Sequence, residues 1–61
     1  MLIKVYKQDE TGTNLAFTQE HCSHASAAGA FQVKAKGSVI TGHTDKTTTV
    51  KFMDSVYTFK G

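Results

Sequence analysis

A chain of 61 residues with one cysteine, no proline and a formal charge of +2 holds one domain at most. At this length folding buries only about 60% of the surface the unfolded chain exposes, and the core contributes on the order of 3–5 kcal/mol. One cysteine excludes an internal disulfide and completes none of the common zinc clusters, and no apolar run approaches the roughly 18 residues of a membrane-spanning helix.

In chain order, Met1–Gln8 alternates Ile3 and Val5 against Lys4 and Tyr6, the period-two signature of a half-buried strand. The stretch DETGTN follows and reads as a hairpin loop, with Gly12 free to take positive φ. Asn14–Cys22 alternates again, which predicts Leu15 and Phe17 on the inward face. Ser23 is a good helix N-cap, and Gly37 suits the left-handed residue beyond a helix end, with Lys34 and Lys36 in the last turn. Between them His24, Ala27, Ala28, Phe31 and Ala35 share one stripe at helical spacing. Three alanines on that stripe predict close approach to a sheet, with Phe31 as the anchor.

Ser38–His43 reads as a short strand, and TDKT turns the chain into Thr47–Met53, with Val50 and Phe52 inward. A tight turn at Asp54-Ser55 precedes the last strand, Val56–Lys60. Nine threonines reinforce the strand preference through their branched Cβ. The pattern predicts a small α+β domain, residues 1–61, in ββαβββ order: an antiparallel sheet of four to five strands with one helix on one face. The expected core is Ile3, Val5, Leu15, Phe17, Ala28, Phe31, Val50, Phe52 and Phe59.

The one segment that hints at chemistry is Glu20-His21-Cys22-Ser23-His24-Ala25. Cys22, His24 and His43 are ligands of the right softness for zinc, and a cysteine with a neighbouring histidine just before a helix is placed as a nucleophile would be. Zinc patterns nevertheless use paired ligands of the C-x2-C and H-x3-H kind, and neither occurs. A domain this small has little room for a substrate pocket of roughly 300–1,000 Å3. The carboxylates Asp9, Glu10, Asp45 and Asp54 all fall in turns, where they serve local hydrogen bonds. The segment therefore reads as a strand-to-helix junction. No bound metal, cofactor, catalytic residue or small-molecule substrate is expected, and the protein is expected not to be an enzyme.

All seven basic residues are lysine. Lysine is a point charge without the planar fork by which arginine reads guanine, so sequence-specific DNA reading is disfavoured. Lys4, Tyr6, Lys51 and Met53 have the parity opposite to the inward residues, which places them on the uncovered side of the sheet. A lysine-bearing sheet with an aromatic is one arrangement for holding single-stranded nucleic acid. The other reading is a protein-binding module, with Lys34, Lys36 and Lys51 as contacts to a host protein or nucleoprotein complex. The free thiol fits a reducing compartment, and MLIKVYKQDE turns polar too soon for a signal peptide. With Met1 read as an initiator, a whole, soluble, cytoplasmic product without membrane contact is expected.

One helix against an antiparallel sheet, at this size and with a modest basic excess, is similar in layout to several small phage-encoded inhibitors, including some anti-CRISPR proteins. The likeness spans the whole chain in layout only and carries over no functional residue. It implies a stoichiometric inhibitor acting in the host cytoplasm.

Overall fold

In the computed structural model, which describes residues 1–61, the chain forms β1 (Leu2–Asp9), β2 (Gly12–Glu20), α1 (His24–Lys34), β3 (Val39–His43), β4 (Thr47–Phe52) and β5 (Ser55–Lys60). The strands make one antiparallel sheet in the order β2-β1-β5-β4-β3. The predicted small α+β fold is present, with five strands and one helix. Helix α1 connects the two edge strands and lies against β3, β4 and β5.

The helix begins where capping chemistry predicts. Ser23 is extended, with φ −159°, and its hydroxyl accepts from the Ser26 amide at 3.1 Å. At the other end the Ala35 amide donates to the Phe31 carbonyl at 2.8 Å, and Gly37 turns the chain away at φ +91°. Lys34 closes the last turn, while Lys36 lies beyond it. The small-residue stripe performs as expected: Ala27 and Ala28 are fully buried, so the helix backbone sits close to Ile3, Val5, Val50 and Phe59. Phe31 reaches furthest, its ring centroid 4.7 Å from Tyr57, 5.5 Å from Phe59, 6.2 Å from Phe52 and 6.4 Å from Phe17.

Gly29 sits inside this helix with open space where a Cβ would be. Gly29→Ala is therefore expected to stabilise the domain by about 0.5–1 kcal/mol, since alanine restricts the unfolded chain and meets no obstacle. Chemical denaturation checks this, and a lower midpoint than the parent's would show that the helix is tighter on that side than its geometry indicates.

Several sequence expectations need correction. Leu15 is not in the core; it is 53% exposed. The β1–β2 register slips between Val5 and Tyr6, so Phe17 pairs with Val5 but Leu15 pairs with Tyr6. An extra residue, Ala16, is accommodated as a bulge, and a bulge moves everything beyond it to the opposite face. The turn expected at Asp54-Ser55 is Met53-Asp54, with Ser55 already paired to Phe52. Met53 belongs to that turn rather than to β4 and takes the left-handed conformation, φ +56°.

The loop DETGTN shrinks to Glu10-Thr11, because Asp9 pairs with Gly12. Gly12 supplies the positive φ, +122°. One Asp9 oxygen accepts from the Thr11 hydroxyl at 2.6 Å and from the Thr11 amide at 2.9 Å, and these bonds hold the Asp9 carboxyl below the usual carboxylate range.

Candidate functional site

The chemistry-bearing side chains of Glu20–Ala25 separate into four different settings. Glu20 ends β2 and its carboxylate accepts from the Met1 ammonium at 2.7 Å. His21 turns toward the helix side, its Nε2 3.2 Å from Gln19 Oε1. Cys22 is exposed. His24, at the start of α1, meets His43 from β3, with ring centroids 5.4 Å apart.

Between those two rings stands Thr48 of β4, 1% exposed. Its Oγ1 lies 2.7 Å from His24 Nδ1 and 3.0 Å from His43 Nδ1. His24 Nε2 lies 3.1 Å from the Asp45 carbonyl, which can only accept. For a neutral His24 the proton therefore sits on Nε2, and Nδ1 accepts from the Thr48 hydroxyl. The hydroxyl's remaining role is to accept from His43 Nδ1–H. The result is a directed chain that ties the helix start to the β3–β4 turn and satisfies a buried hydroxyl. No three histidine, cysteine or carboxylate side chains cluster closely enough to share a metal ion.

The lysines divide between two faces. Residues paired across the sheet share a face, so the burial of Ile3, Val5, Val50 and Phe59 under the helix assigns their neighbours to the open side. Lys4 and Tyr6 on β1 and Lys60 on β5 stand there together, and Lys51 on β4 shares the face further along, next to the β4–β5 turn. Lys4 is directly opposite Lys60, and Lys60 Nζ lies 5.3 Å above the centre of the Tyr6 ring. Around them the same face carries Thr18, Thr47, Thr49 and Thr58, and its one carboxylate, Glu20, is held by the chain's own ammonium. The open-face placement of Lys4, Tyr6 and Lys51 agrees with their parity, while Lys34 and Lys36 lie apart at the helix end.

Lys60 is the member that sequence reading missed. Its parity relative to Phe59 was a usable signal, but its position opposite Lys4 follows only from the pairing of β1 with β5.

On the helix side, a groove of about 440 Å3 runs between β2 and α1, lined by Phe17, Gln19, His21, Ala30, Phe31 and Lys34. A second hollow, about 290 Å3, lies between the β1–β2 and β4–β5 turns and carries Asp9, Glu10 and Asp54. These three carboxylates lie at the end of the sheet that carries Lys51, away from Lys4 and Lys60. No helix is long and apolar enough to cross a membrane. Comparison with family models, with curated proteins and with solved structures gives no match for this chain.

Proposed function

We propose that this protein is a small non-enzymatic binder that docks the lysine-bearing open face of its sheet onto an acidic surface of a host protein or nucleoprotein complex. The observation that carries this reading is the cross-strand pair Lys4–Lys60. Like charges placed directly opposite one another weaken a sheet, and no carboxylate of the open face relieves them. A partner's carboxylates or phosphates would. The proposal extends to an inhibitor of the phage or mobile-element type acting in the host cytoplasm, a role that rests on likeness of layout alone. A binding role rather than catalysis is supported by the histidines: His24 and His43 spend their Nδ1 atoms on Thr48, apart from exposed Cys22.

Direct binding of single-stranded nucleic acid would need a free aromatic face on which bases stack. Tyr6 has one face under Lys60 and is the only aromatic among the open-face residues, which favours a protein surface.

Lys4→Glu tests the reading, because it should move stability and binding in opposite directions. The glutamate faces Lys60 across the strands and is expected to stabilise the fold by a few tenths of a kcal/mol up to about 1 kcal/mol. Capture of the partner from nuclease-treated host lysate should fall at least tenfold for the same variant. Titrations against single- and double-stranded oligonucleotides at physiological salt should show no tight binding. Tight oligonucleotide binding that weakens steeply with salt and with Lys4→Glu would make the face a nucleic-acid platform instead.

A further inference from the structure

The groove between β2 and α1 lies on the opposite side of the sheet from the lysine face, and the geometry points to it as a second docking site. We propose that it takes an extended, acidic peptide segment of a partner protein, which pairs with the free edge of β2. That segment would set one apolar side chain against the outer flank of the Phe17–Phe31 stack and a carboxylate against Lys34.

Three independent features converge on this occupant. The first is backbone. β2 has a partner, β1, on one side only, and no hydrogen bond outside the ladder engages a β2 amide or carbonyl. The strand carries neither lysine nor proline along Gly12–Glu20, the residues that ordinarily guard an edge against pairing. The bulge at Ala16 divides the edge, and the groove lies beside its second half, where Phe17, Gln19 and His21 alternate toward the helix.

The second feature is shape. The groove walls come from β2 and α1 alone, because the helix packs against β3, β4 and β5 and leaves the β2 side uncovered. A strand added to β2 would continue the sheet, and every second side chain of it would stand on this side. At about 440 Å3 the space suits one large apolar side chain with a shorter polar neighbour.

The third is charge. Lys34 and His21 line the groove and no carboxylate does. A second copy of this chain, pairing β2 with β2 about a two-fold axis, would bring two such walls together, lysine to lysine, in a chain that already carries +2. A segment bearing a glutamate or aspartate has the complementary charge.

The probe is a capped seven-residue peptide of alternating threonines, with a central phenylalanine and a glutamate two positions later. Titrated into isotope-labelled protein, it should give saturable amide shifts confined to Phe17–His21 and the Ala30–Lys34 side of α1, with new exchange protection along β2. N-methylating the peptide amides that face β2 should weaken binding by about tenfold, the worth of one or two net hydrogen bonds. Lys34→Glu, an exposed change that leaves the core untouched, should weaken the glutamate peptide several-fold, and a lysine-for-glutamate peptide should recover that loss. Absence of saturable binding, or binding indifferent to N-methylation, overturns the proposal. Shifts on the Lys4 and Lys51 face overturn it too. So does β2 protection that grows with protein concentration without peptide, since a second copy would then hold the edge.

Discussion

Replacing Phe31 with alanine is expected to cost about 3 kcal/mol, most of the stability of a domain whose core contributes on the order of 3–5 kcal/mol. The magnitude follows from position. Phe31 is the one helix side chain in aromatic contact with β2, β4 and β5 together, through Phe17, Phe52, Tyr57 and Phe59. The stripe residues beside it are alanines, too short to close the gap its loss would leave. Part of the ring stays accessible, which sets the value at the lower end of the range for phenylalanine truncations. Urea denaturation of the variant beside Val33→Ala, an exposed position on the same helix, gives the comparison. Equal midpoints for the two variants would mean that the helix is not anchored through Phe31.

The second large effect is expected at Thr48. Thr48→Val keeps the shape and removes the hydroxyl that both imidazoles bond, leaving Nδ1 of the half-buried His24 without a partner while exposed His43 can turn to water. The expected loss is about 2 kcal/mol, because stranding polar groups costs their full desolvation rather than the modest net worth of a hydrogen bond. Thr48→Ser separates the two contributions: it keeps the hydrogen-bond chain and loses a methyl group, for about 1 kcal/mol. The order parent, serine, valine in thermal midpoint is the predicted result. A valine variant as stable as the parent would show that the chain of bonds merely replaces what water supplies.

Local chemistry was legible in the sequence, and long-range register was not. Ser23 and Gly37 announce the helix ends because capping and left-handed geometry depend on a few adjacent residues. Ile3, Val5, Val50 and Phe59 announce their burial by alternation. Leu15 escaped because one inserted residue reverses parity without any compositional mark, and alanine at position 16 carries no signal for a bulge. The turn at Met53 escaped because methionine is not a residue from which positive φ is read.

The candidate surfaces follow the same division. Lys4, Tyr6 and Lys51 were assigned to the open side by parity. Lys60 opposite Lys4, and His43 beside His24, depend on which strands become neighbours, and no short window of sequence contains that information.

The seam between β1 and β5 has a kinetic meaning. The hairpin β1–β2 and the meander β3–β4–β5 each assemble from contacts near in sequence, but they meet only through pairs such as Val5 with Phe59, nearly the full chain apart. Closing so long a loop must precede any reward from burial, which makes the β1–β5 seam the pairing expected to form most slowly in this topology. Until β5 docks, β1 and β5 are themselves raw edges, and Ile3 and Val5 lack the Phe59 side of their cover. During that interval the nascent halves are exposed to intermolecular strand pairing, and a chain slowed at the seam has association with its own kind as the competing reaction.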